Sequence, residues 1–197
     1  MRVAIVGHDK TLPGRGLGAE IDSCDLVVKM LNCGWHDSVD YGKRYDFAIA
    51  TKSSFVLDSV KMPKIAIWCY EKHGRELFHH LGADAQDITP LIRHSITDLL
   101  PKFAGREVPV GISRGCAAVL GVIAVLIPRK IMLYGMGQLA SGVRQEDRHP
   151  DIYREHLTTE QKSVLPADKD HNWQAEHKLI HYVAKLNKCE LLTNTDA

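Results

Sequence analysis

Val3-Ala4-Ile5-Val6-Gly7-His8-Asp9 passes from an unbroken apolar run into a glycine and two polar residues. A run this short reads as a buried strand spanning residues 2–6. The pattern recurs along the chain. Residues 26–31, 46–50, 64–68, 108–110 and 130–134 read as further strands, with 189–192 at an edge. Helical patterns fall between them, near 54–60, 72–82, 91–100, 113–127 and 172–187. Strands alternating with helices predict an α/β fold, Rossmann-like, with a mostly parallel sheet and helices on both faces. The segment 113–127 is apolar all round, so its helix is expected to be buried.

Bulk composition sets the class. The chain has 197 residues, 45% hydrophobic and 25% charged, as expected of one globular domain over 1–197. A domain of this size buries roughly 70% of its unfolded surface without staples. The net charge of +1 gives no support to a nucleic-acid partner. Cys24, Cys33, Cys69, Cys116 and Cys189 form no CxxC pair and leave one over. They read as small core residues in a reducing compartment. The apolar run after Met1 is too short for a signal peptide. The longest apolar stretch, Cys116 to Pro128, falls short of the ~20 residues of a membrane span. The expectation is a cytoplasmic protein with no membrane anchor.

In parallel α/β sheets, ligands bind beyond the carboxyl ends of the strands. Four such ends carry small or polar residues: Gly7-His8-Asp9, Asn32, Gly111 to Gly115, and Gly135-Met136-Gly137. Ser113-Arg114-Gly115 follows a strand and opens a helix. Ser113 suits the N-cap, and the helix start offers N–H groups and a positive dipole end to a phosphate or carboxylate. Gly115 would let a ligand approach the backbone. An ordinary capped helix has the same signature.

Other motifs carry less. Gly14-Arg15-Gly16-Leu17-Gly18-Ala19 fits G-x-G-x-x-A, but it starts seven residues after Gly7 and not at the strand end. It reads as a mobile loop, with weak support for NAD. On the last helix Trp173, Glu176, Ile180, Val183 and Ala184 share one face. A carboxylate on an apolar stripe should have a partner. His171 stands at the helix start, where the dipole disfavours imidazolium and would keep the ring neutral and able to accept a proton; an ordinary surface histidine before a helix has the same signature. His177 and His181 lie four apart without the H-E-x-x-H pattern, and Asp168-Lys169-Asp170 falls in a polar loop. Both read as solvated surface. The eleven histidines otherwise form no convincing metal-ligand set. There is no G-x-S-x-G and no P-loop.

The order of these motifs resembles the animal-type sialyltransferases. Val3 to Gly7, Gly18-Ala19-Glu20-Ile21-Asp22-Ser23-Cys24-Asp25 and Val28-Lys29-Met30 resemble that family's long motif, and Tyr41-Gly42-Lys43 resembles its tail. Glu20-Ile21-Asp22-Ser23-x-Asp25 is the most specific part. Pro109, Ser113-Arg114-Gly115 and Leu133-Tyr134-Gly135-Met136 resemble the short motif, and His171 to Glu176 resembles the late His-x-x-x-x-Glu. Departures are His8 where the family has Asn, Lys29-Met30-Leu31 for Arg-Met-Asn, and Ser113-Arg114-Gly115 for Ser-Thr-Gly. The linking cysteines are missing. Arg148-His149-Pro150 with Tyr153 stands loosely for the His-Tyr-Tyr motif.

The resemblance implies an inverting, metal-independent glycosyl transfer from a nucleotide-activated sugar, by default CMP-sialic acid, to a glycan or other hydroxyl acceptor. No further cofactor is implied. His171 would be the general base and His149 would act on the departing phosphate. The Ser113–Gly115 helix start would hold the donor's anionic groups. Gly7, His8, Asp9, Asn32, Gly135 and Met136 would surround the nucleotide. The rival readings are a non-catalytic nucleotide- or sugar-binding module, and another nucleotide-sugar or pyrophosphate-handling enzyme on the same scaffold.

Overall fold

Strand β1 (Arg2–Val6) is buried as its composition demands, with Val3, Ala4, Ile5 and Val6 all out of solvent. Successive side chains of a strand face opposite ways, so four buried in a row mean that both faces of the sheet are covered. The computed structural model describes residues 1–9, 12–30, 37–50, 66–69, 85–104, 112–142 and 172–193. Around β1 lie β2 (Leu26–Met30), β3 (Phe47–Ala50), β4 (Ala66–Cys69), β5 (Ala85–Asp87), β6 (Lys130–Tyr134) and β7 (Glu190–Thr193). Their order is β5-β4-β3-β2-β1-β6-β7, and every pairing is parallel. The chain steps outward from β1 to β5, then returns to place β6 against the other side of β1. That reversal is the switch point at which open parallel sheets bind ligands.

The helices are α1 (Gly18–Asp22), α2 (Ser38–Tyr41), α3 (Thr89–His94), α4 (Leu100–Ala104), α5 (Arg114–Leu126), α6 (Gly137–Ser141) and α7 (Trp173–Leu186). A π-helical turn, Ser95–Leu99, joins α3 to α4. It stands just ahead of Pro101, which has no N–H to give the preceding turn. Helix α5 packs on β2, β3, α3 and α7, and α7 packs on α4, α5, α6 and β7.

The expected strands at 2–6, 26–31, 46–50, 64–68, 130–134 and 189–192 are present, with ends moved by a residue or two. Those expected at 108–110, and the helices at 54–60 and 72–82, lie outside the described residues. Strand β5 was not legible, because Ala-Gln-Asp at a sheet edge carries no apolar run. Burial of α5 holds from Cys116 to Ile123 only. Ala124, Val125 and Ile127 are exposed, because the last turn outruns its neighbours. Cys24, Cys116 and Cys189 are free and buried, as core residues should be. Among the described residues, no helix is long and apolar enough to cross a membrane.

Side-chain bonds lock the β1–β2–β3 region. Asp22 accepts the N–H groups of Lys43 and Arg44 at 2.9 Å each. The Arg44 guanidinium returns to the carbonyls of Asp22 (2.8 Å) and Cys24 (2.5 Å) and to the Asp46 carboxylate (2.8 Å). Lys29, on the central strand and 1% exposed, donates to Gly42 O at 2.8 Å and lies over the Tyr45 ring. The glycine run is corrected from a mobile loop to a tied one. The backbone N–H groups of Gly14 and Gly16 donate to the Asp40 carboxylate, the latter at 2.6 Å. The anion held by this loop is therefore the protein's own, and the N–H groups that a pyrophosphate would need are taken.

Burial of Asp40 works against its charge, but the Gly16 and Gly14 N–H groups outweigh it and hold the carboxyl below the usual carboxylate range. A depressed folded pKa gives stability that is present above the unfolded value and lost as pH falls through the folded one. Asp40→Asn should therefore cost about 1–3 kcal/mol near neutral pH. That difference from wild type should shrink below about pH 4. Urea melts of both proteins from pH 7 to pH 3 check this, and a difference independent of pH would contradict it.

Candidate functional site

The switch point is built by two glycines in close apposition. The register Val6↔Tyr134 sets Gly7 beside Gly135 at the carboxyl ends of β1 and β6. Gly7 N–H donates to Tyr134 O (2.8 Å), and Asp9 N–H donates to Gly135 O (2.9 Å). A Cβ on Gly7 would fall 2.5 Å from Gly135 O, and one on Gly135 would fall 2.9 Å from Gly7 O. Gly135 also has φ +58°, a backbone that side chains rarely tolerate. The adjoining Tyr134 hydroxyl donates to Glu20 at 2.6 Å, which ties β6 to α1. Burial, together with that bond to Glu20, pushes the Tyr134 phenol far above its ordinary range.

The third piece of the site is the start of α5. Ser113 is its N-cap, with Oγ accepting from Cys116 N–H at 3.1 Å. Ser113 itself is spent on Glu176. Its N–H donates to Glu176 Oε1 (3.1 Å) and its hydroxyl to Oε2 (2.5 Å). Glu176 is 1% exposed, and this is the partner that its place on the apolar stripe required. The bond joins the first turn of α7 to the cap of α5. Asn172 caps α7 by accepting Ala175 N–H at 3.1 Å. Burial, with Glu176 near, pushes the Cys116 thiol well up, so it stays an unreactive core group.

Met136 draws the pieces together. It is 7% exposed, and its side chain runs from Gly7 to Gly115. A Cβ on Gly7 would meet Met136 Cγ at 2.8 Å, and one on Gly115 would meet Met136 Cε at 2.6 Å. The space at Gly115, expected to admit a ligand to the backbone, is filled by this methionine. Of the residues predicted for the site, Gly7, Asp9, Ser113, Gly115, Gly135 and Met136 are linked by these contacts. His8 and Arg114 are half-buried beside them in sequence. Asn32, His149, His171, Arg148, Tyr153 and Asp168 to Asp170 lie outside the described residues. Among the described residues, no three His, Cys, Asp or Glu converge as metal ligands. His177 is not plain surface. It is half-buried, and its Nδ1 lies 3.0 Å from Leu139 O.

Sequence reasoning missed the Tyr134–Glu20 bond, the hold of Asp22 on residues 43–44, and the role of Met136. The quoted motifs contained these residues, but a motif does not say which of its members touch.

The two glycines should respond differently to substitution. A methyl on Gly7 meets a backbone carbonyl that cannot yield, so Gly7→Ala should cost about 2–3 kcal/mol or more. A methyl on Gly115 meets the far end of a flexible thioether, and Ala is the better helix former, so Gly115→Ala should stay within about 1 kcal/mol of wild type. Denaturant melts of the two variants read the difference, and equal costs would contradict this packing.

No family model matches the chain, and no curated protein is similar to it in sequence. Solved structures are similar in fold. A mammalian sialyltransferase in complex with Gal-beta-1-3GalNAc-ortho-nitrophenol superposes with TM-score 0.62 at 17% identity, covering 96% of this chain and 68% of that one. The sialyltransferase CstII from Campylobacter jejuni, in complex with the substrate analogue CMP-3FNeuAc, gives TM-score 0.60 at 14% identity, covering 98% and 80%. A point variant of CstII in complex with CMP gives TM-score 0.63 at 14% identity, covering 98% and 80%. At these identities the likeness is one of fold, and this chain has the fold of the sialyltransferases.

Proposed function

We propose that this protein is a glycosyltransferase of the sialyltransferase kind, moving a sugar from a nucleotide donor, by default CMP-sialic acid, to an acceptor hydroxyl. The observation that carries the reading is the meeting of Gly7, Asp9, Gly115, Gly135 and Met136 at the switch point of a fold shared with CMP-holding sialyltransferases. Both hydrogens of Ser113 go to Glu176, so donor contacts at the start of α5 fall to Arg114 and Gly115. A helix supplies no internal acceptor to the N–H groups of its first turn, and these suit an anionic donor. His8, Asp9 and Asn32 complete the surroundings of the nucleotide in this reading.

The reaction is an inverting displacement. The acceptor oxygen bonds to the anomeric carbon as the bond from that carbon to the phosphate oxygen breaks. His171 takes the hydroxyl proton, and His149 stabilises the departing phosphate. The leaving group carries a single phosphate, and the reaction is read as metal-independent. His171 stands one residue before the cap of α7, and the first turn of α7 is tied to the start of α5. That tie supports a base beside the donor.

CMP at 100 times its Kd should stabilise the protein by about 2.7 kcal/mol. For a chain of this length that is a Tm rise of about 5–10 °C, and NAD, UDP and GDP should do less. With CMP-sialic acid and a glycan acceptor in EDTA, His171→Ala should lower turnover about 10²–10⁴-fold while keeping CMP affinity. Tight NAD binding with no response to CMP would overturn the donor assignment. Wild-type turnover in His171→Ala would overturn the catalytic one.

A further inference from the structure

Helix α7 carries a pair of groups that the proposed reaction leaves unused. His177 and His181 stand four residues apart and so share one face of the helix. Their ring centroids are 4.4 Å apart, with the planes tilted by 55°. His177 Nδ1 lies 3.0 Å from Leu139 O, in the middle of α6. A carbonyl oxygen only accepts, so Nδ1 carries the hydrogen, and in the neutral ring the lone pair is left on Nε2. A metal-ligating histidine is usually held in this way, with one ring N–H fixed by a backbone carbonyl and the other nitrogen presented to the ion. His181, one turn on and exposed, brings a second imidazole to the same place.

The separation suits a shared ion. A first-row metal sits about 2.0–2.1 Å from an imidazole nitrogen, hence about 3.2 Å from the ring centre. Two rings can therefore serve one ion only if their centres lie within about 6.4 Å of each other, and the observed 4.4 Å meets that limit. Among first-row divalent ions, a pair of imidazole nitrogens favours Cu²⁺ and Ni²⁺.

We propose that His177 and His181 form a two-nitrogen site for a late first-row divalent ion, Cu²⁺ or Ni²⁺, with water completing the coordination. The site is separate from the proposed glycosyl chemistry and does not depend on it. Among the described residues no third His, Cys, Asp or Glu joins the pair, so it should bind less tightly than a three-ligand site.

The test is calorimetric titration of tag-free protein with Ni²⁺ and with Cu²⁺, on wild type and on His181→Ala. His181 is exposed, so the variant should fold, and its circular dichroism and melt check that. One equivalent should bind wild type, and His181→Ala should weaken it tenfold or more. A second variant, His177→Ala, should do the same. Ni²⁺ should raise the Tm of wild type and leave that of His181→Ala unmoved. Absence of saturable binding to wild type would overturn the proposal, as would binding to His181→Ala weakened less than tenfold, which would put the ion elsewhere.

Discussion

A buried carboxylate cannot be left without hydrogen bonds, and both oxygens of Glu176 accept from Ser113, 63 positions earlier in the chain. The consequences spread in both directions. Ser113 Oγ donates to Glu176 and accepts from Cys116 N–H, so the cap of α5 and the entry of α7 belong to one network. Loss of either partner would leave donors or acceptors unsatisfied in a site that water does not reach. The first turns of two helices that are remote in sequence are thereby fixed against each other at the switch point of the sheet.

The residues that carry the resemblance turn out, in this chain, to be largely joints. Glu20 receives the Tyr134 hydroxyl and so binds the long-motif helix to the strand that ends at Gly135. Asp22 receives the N–H groups of Lys43 and Arg44, which joins that helix to the Tyr41-Gly42-Lys43 tail. Ile21 between them is fully buried. These bonds fix α1 to the end of β6 and to the segment that leads into β3. The resemblance through Glu20 and Asp22 therefore speaks for the scaffold, whereas Gly7, Gly115, Gly135 and Met136 pack on one another at the switch point.

Much of this was legible in the sequence, because it rested on local pattern. The apolar runs marked the strands, Ser113 marked a cap, and Glu176 on an apolar stripe announced a missing partner. The identity of that partner was not legible, since nothing local couples positions 63 apart. The glycine run misled for the same reason: the carboxylate that fills it, Asp40, comes 24 to 26 residues later. Gly115 had the mark of open space beside the backbone, yet the side chain of Met136, from the turn after β6, occupies the face that a Cβ would take. The spacing of His177 and His181 was plain, but the carbonyl that fixes the first of them belongs to α6. Each error has one form, a local signature completed by a distant group of the same protein.

The most direct test of the account is a double-mutant cycle on the buried bond, with Ser113→Ala, Glu176→Gln and the pair, each followed by urea unfolding. Ala at 113 removes the hydroxyl and keeps the N–H. Gln at 176 keeps one acceptor oxygen and replaces the other with a donor. If the network is as described, each single change costs about 1–3 kcal/mol. The pair then costs little more than the worse single change, giving a coupling of about 1–3 kcal/mol. Strict additivity, with a coupling near zero, would show that the two residues do not hold α5 to α7, and the account of the site would lose its foundation.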